Sequence, residues 1–113
     1  MEPIEKEVPT YTVRLYMAGD INSAKYILRM KCWHVGLCVT IEPTTFIYTG
    51  GEEAGFVIGF VNYPRFPKTP SEIYERAHSM AHSLMPVLNQ STALLVATDK
   101  TVWIKIKPPG AKE

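Results

Sequence analysis

His78 and His82 stand four residues apart, so on a helix both imidazoles lie along one edge, as two ligands of a divalent metal would need. His34 offers a third imidazole. Met85 continues the His78–His82 edge and adds a thioether, which suits copper. No Glu separates the two histidines in an HExxH pattern, and no Cys or carboxylate falls at a partnering spacing. A helical wheel sets His82 nearly opposite the apolar face and His78 on its shoulder beside Tyr74, so a solvated helix surface is the competing reading. No cofactor is assigned; copper or zinc is the metal class the pair would take.

A second constellation lies in the stretch YPRFPKTP. Two cations, Arg65 and Lys68, and two aromatics, Tyr63 and Phe66, share a proline-stiffened connector that leads into a capped helix start. Cations, ring faces and free helix-start donors together hold an anionic aromatic ligand, such as a nucleotide or a related signal. Prolines lower the ordering cost of binding. Arg14 and Tyr16, with Trp33 and Tyr48, are candidates to line the same cleft or a neighbouring one between subunits. The competing reading is a rigid connector whose cations are simply hydrated.

Other chemistry is thinly represented. Cys32 and Cys38 read as small core thiols, because nothing electropositive surrounds them to make a reactive thiolate. Gly50-Gly51-Glu52-Glu53 lacks the following helix and Lys-Ser/Thr of a phosphate loop and reads as a hairpin turn with charged tips. No Ser/His/Asp elbow, close carboxylate pair or nucleotide fingerprint appears. The expectation is a binding protein that is not an enzyme.

Composition bounds the rest. The 113 residues make one domain, and 46% hydrophobic against 20% charged residues is ordinary globular usage. Twelve Lys and Arg against eleven Asp and Glu leave +1, too little field for a nucleic-acid backbone. The uncharged apolar run Ala54–Val61 is far shorter than the roughly 20 residues of a membrane helix. The N-terminus lacks the basic-then-apolar order of a signal peptide. Neither nucleic acid nor membrane is an expected partner, and a reducing cytoplasm is the expected location.

The elements that must position these residues follow from pattern. Tyr11–Met17 alternates as a half-buried strand. Asp20 caps a helix whose apolar residues Ile21, Ala24, Leu28, Cys32 and Val35 share one face, and Gly36 ends it. Leu37–Ile41 is a second strand; Pro43 interrupts its ladder, which points to an edge or a bulge there, and Thr44–Thr49 resumes it. The turn at Gly50-Gly51 leads to a third strand, Ala54–Tyr63, nearly all apolar and so expected to be covered on both faces. Its Gly55 and Gly59 share a face and permit close approach by a helix or a neighbouring chain. Thr69-Pro70-Ser71-Glu72 is a capping box opening a helix with Ile73, Ala77, Met80, Ala81, Leu84 and Leu88 inward, ended or kinked at Pro86. Ala93–Ala97 and Thr101–Ile106 form a final hairpin around Thr98-Asp99-Lys100.

The order β-α-β-β-α-β-β predicts an α+β fold: a ferredoxin-like plait with one additional C-terminal strand, a two-layer sandwich with both helices on one face. Residues 11–106 form the domain, with flexible tails at 1–10 and 107–113.

Residues Ala18–Tyr48 resemble the first half of the CutA family through Asp20, Gly36, Leu37, Cys38, Val39, Ile41, Pro43, Ile47 and Tyr48. Departures are the missing Trp-x-Gly-Lys turn and the missing His-Pro-Tyr-Glu stretch, where Leu84-Met85-Pro86-Val87 stands. The block GGEEAGFVIGFVNYPRFP is similar to short proteins of tailed bacteriophages. The CutA resemblance implies a long hairpin paired between subunits and a homotrimer with interfacial clefts. The combined expectation is a homo-oligomer, a trimer first, that holds a small anionic ligand at its interfaces as a phage anti-defence protein sequestering a host signal. The alternatives are a CutA-like protein binding divalent metal through His78 and His82, or an interaction module that inhibits a host enzyme.

Overall fold

The structure, a computed structural model, describes residues 2–107. Alternation over Thr12–Ala18 makes strand β1, with Val13, Leu15 and Met17 buried on one side. Asp20 then caps helix α1 (Ile21–Val35), its carboxylate accepting from the Ser23 backbone N–H at 2.8 Å. Gly36 ends the helix in the left-handed region at φ 63°, where a side chain would strain the backbone. Strands β2 (Thr40–Tyr48) and β3 (Gly51–Val61) form the long hairpin. Helix α2 (Pro70–Val87) opens on the expected capping box, Thr69 and Glu72 accepting from one another's backbone N–H groups. Strands β4 (Thr92–Ala97) and β5 (Thr101–Lys105) close the fold.

All strand pairs are antiparallel, in the order β2-β3-β1-β4-β5. The result is an α+β fold compatible with a ferredoxin-like type. One core unites Val13, Leu15 and Met17 of β1, Phe56, Ile58 and Phe60 of β3, and Ala93, Leu95 and Ala97 of β4 with Ala24 and Leu28 of α1 and six residues of α2. Both helices therefore cover one sheet face, and the other face carries no helix.

Several local expectations are corrected. Pro43 does not divide β2, which runs unbroken through it opposite Phe56. Because β2 is an edge strand, a missing N–H costs no ladder bond on its outer side. Leu37–Val39 precedes the strand, and Cys38 is exposed rather than a core thiol. Cys32 is only half-buried and Val35 is exposed. An open groove between α1 and residues 37–41 separates the last turns of the helix from the sheet, so Ala24 and Leu28 are buried and Ile21 and Ile27 pack against the core only partly covered. Burial nonetheless pushes the Cys32 thiol pKa up. Met85 is fully buried in the core, which removes it from any edge shared with His82. Pro86 sits in the last turn of α2, where it ends the regular helix. The expected C-terminal tail lies, past Lys107, outside the described residues.

Candidate ligand-binding site

Strand parity decides which side chains the helix-free face presents. Val13, Leu15 and Met17 point to the helices, so Arg14, Tyr16 and Ala18 point away. Register carries that parity across the sheet: Glu42, Val57, Tyr16, Leu94 and Trp103 form one row. Toward the hairpin, Phe46 stands opposite Glu53, and Tyr48 opposite Gly51. From Gly55 to Phe60 the third strand is thus covered on one face by the helix layer and on the other by its neighbours' side chains, while Gly51–Ala54 and Val61 stay exposed. Gly55 is what allows this: a Cβ there would overlap the Phe46 ring and the Met17 carbonyl. The close approach expected of a helix or a second chain is made by β1 and β2 of the same chain.

Tyr16, Phe46, Tyr48, Glu53 and Trp103 line a cleft of about 230 Å³ on this face. Among the described residues Glu53 is the one carboxylate lining it, and no Lys or Arg does. Ring faces attract cations through their quadrupole, and a carboxylate reinforces them. The lining suits a flat heteroaromatic body that carries a positive centre. Arg14 stands beside it, its Nε donating to the Tyr16 hydroxyl at 3.2 Å and its guanidinium 5.7 Å from the Tyr16 ring. Its ion pair with Glu42 spans 3.9 Å between exposed groups and contributes little stability.

The residues expected at one ligand site are divided. Arg14 and Tyr48 belong to the open face with Tyr16. Tyr63, Phe66 and Lys68 line a second cleft of about 230 Å³ beside the start of α2, with Phe60, Ile73 and Arg76. Arg65 does not line it; its guanidinium lies 5.3 Å from the Phe66 ring. Trp33 is 86% exposed on α1 and lines neither cleft. The His78 and His82 rings are 4.6 Å apart, with His82 exposed. Among the described residues no group of three or more His, Cys, Asp or Glu is placed to hold a metal.

Glu53, Phe46, Trp103 and Arg76 escaped the sequence analysis. Glu53 read as a soluble hairpin tip, yet the tight turn at Thr49-Gly50 sets it opposite Phe46. Counting in twos from that turn puts Phe46, Tyr48 and Glu53 on one face.

No protein-family model matches the sequence, and no curated protein matches it either. Two solved structures share the fold. One is a phage SAM lyase in complex with S-methyl-5'-thioadenosine, with a TM-score of 0.71 and 7% identity over 94% of this chain and 97% of that one. The other is a phage SAM lyase in its apo state, with a TM-score of 0.69 and 8% identity over 94% and 98%. At that identity the likeness establishes the fold. Both are phage proteins, in keeping with the phage resemblance of the sequence, and neither is described as a CutA protein. The expectation that the protein is not an enzyme is overturned, because the proteins that share its fold nearly end to end are lyases.

Proposed function

We propose that this protein is a lyase of S-adenosylmethionine, acting on the helix-free face of its sheet. The observation that carries this is the fold likeness, over 94% of this chain and 97% of the other, to a phage SAM lyase bound to S-methyl-5'-thioadenosine. The cleft chemistry agrees. Tyr16, Tyr48 and Trp103 supply ring faces for an adenine and for a sulfonium, and Glu53 supplies a carboxylate to pair with the substrate's positive charge. This ligand sits on a different face from the anionic one expected at Arg65 and Lys68.

The reaction asks little of the protein. Removing neutral S-methyl-5'-thioadenosine from the substrate leaves a four-carbon amino acid fragment. The substrate's own carboxylate displaces the sulfur at Cγ: a C–O bond forms, the Cγ–S bond breaks, and its electron pair stays on sulfur. The fragment leaves as a five-membered lactone, and neither water nor a proton transfer is consumed. Carboxylate and sulfonium lose their charges together, so ring surface that displaces water from the bound substrate favours the transition state over the charged ground state. Holding the side chain folded supplies the rest. That economy accounts for the absence of a Ser/His/Asp or paired-carboxylate signature.

The finer expectations belong to the same reading. The sheet extends a ferredoxin-like plait by β5, and the open face and long hairpin join three copies, so that a neighbouring subunit closes each cleft. Depleting S-adenosylmethionine starves the methyl transfer that depends on it, which is the form an anti-defence role takes here.

Incubating the purified protein with S-adenosylmethionine and following it by liquid chromatography and mass spectrometry tests the reading. S-methyl-5'-thioadenosine and the lactone should appear together, with no ¹⁸O entering the initial lactone from labelled water. Folded protein that leaves the substrate intact would overturn it.

A further inference from the structure

We propose that the cleft beside the start of α2 is a second binding site, separate from the open-face cleft and selective for a small amphipathic monoanion, an aromatic carboxylate or its equivalent. The two clefts have opposite charge character. Glu53 marks the open-face cleft, whereas Lys68 and Arg76 line this one and, among the described residues, no Asp or Glu does. The Arg76 guanidinium donates to the Val35 carbonyl at 3.4 Å, a long bond that leaves most of its donors free. The Lys68 backbone is pinned instead, its N–H donating to the Asn62 side chain at 2.9 Å. That bond fixes where the Lys68 side chain starts while leaving its ammonium to a ligand.

The rest of the lining is apolar. Phe60, Ile73 and Leu37 supply aliphatic and ring surface, and Tyr63 and Phe66 flank the mouth with ring centroids 6.4 Å apart. Arg65 lies over Phe66, which orients that ring without adding its own charge to the cleft. Two cations on an apolar floor desolvate poorly alone, so an anion with a flat apolar body completes the site. At about 230 Å³ the cleft is below the roughly 300–1,000 Å³ of drug-sized sites, so one fused ring pair with a carboxylate is the upper limit.

The probe is 2-naphthoate, compared with the uncharged 2-naphthamide by isothermal titration calorimetry on the full-length protein. The acid should bind one per chain and at least tenfold tighter than the amide. Lys68→Gln with Arg76→Gln should abolish that preference, and Phe66→Ala should weaken both compounds. Saturating S-adenosylmethionine should not displace the acid. Equal affinity for acid and amide, binding indifferent to the double substitution, or displacement by S-adenosylmethionine would each overturn the site. None of these readouts depends on turnover, so failure of the lyase reading leaves this test interpretable.

Discussion

Glu53 shows how a single side chain acquires meaning from its partners. Alone it is a hairpin carboxylate; opposite Phe46 and within a cleft of Tyr16, Tyr48 and Trp103 it is the counter-charge of an aromatic site. Glu53→Gln should therefore lower kcat/KM for S-adenosylmethionine by about 10- to 100-fold, the loss expected for one charge-assisted contact. Steady-state product formation checks it, with unchanged circular dichroism excluding misfolding. Tyr11 carries a different consequence. Its ring is buried and its hydroxyl donates to the Asp99 carboxylate at 2.9 Å. Burial first, and then that carboxylate, push its pKa up to about 12 from the usual 10. The folded state favours the neutral phenol, so this stability is whole below about pH 10 and is lost as pH rises toward 12. Tyr11→Phe should cost about 1 kcal/mol at neutral pH and flatten the alkaline limb, as urea midpoints measured across that range would report.

At the scale of elements, helix α1 is defined more by its ends than by its packing. Asp20 and Gly36 cap it, while only Ala24 and Leu28 are buried. The cap should therefore matter more than the modest apolar face suggests. The Ser23 backbone N–H, then its hydroxyl, hold the Asp20 pKa below its usual value. The cap's contribution is present above the ordinary carboxylate pKa and is lost as pH falls through the lowered one. Asp20→Ala should lower Tm at neutral pH, whereas Asp20→Asn should retain most of it and remove the acid dependence; thermal melts at two pH values decide. Strand β3 carries a second consequence. Gly55→Ala sets a Cβ against the Phe46 ring and the Met17 carbonyl, and backbone cannot yield as a side-chain tip can. A loss of about 1–3 kcal/mol is expected, with lyase activity falling because Phe46 leaves its place in the cleft.

The whole molecule is longer than its residue count suggests. Its radius of gyration is 15.7 Å and its extents are 57 × 30 × 26 Å, against about 13 Å for a compact chain of this length. The hairpin contributes to this, as does the exposed segment before β1: β3 pairs with β1 only from Gly55 to Val61, so Gly51–Ala54 and the facing end of β2 project beyond the sheet. Ile47 and Tyr48 are exposed there, as is Trp103 on β5. A lone two-stranded ribbon bearing such residues is marginal in water. Native mass spectrometry should find three copies, and Ile47→Asp should shift them toward monomer and reduce turnover. A wild-type monomer with full activity would overturn the assembled site.

Local physics made the helix limits legible: Asp20, Gly36 and the Thr69–Glu72 box act within a turn of chain, so their residue types suffice to define them. The strands and the single helix-covered face were legible for the same reason, through alternation and element order. Pro43 marks β2 as an edge in the sequence itself, but whether it also breaks the strand depends on which side of the ladder lacks the N–H, and there β2 runs through it. The exposure of Cys38 and Val35 has no local signal, because burial depends on where α1 leaves the sheet. Arg14 and Tyr48 are legible as charge and ring donors, but their separation from Lys68 and Phe66, which lie in a different cleft, is not. Residue types and local spacing determined the elements and named several ring and charge donors. Only the tertiary structure decided which of them meet, because strand register joins Tyr16, Glu53 and Trp103 across distances that no local pattern encodes.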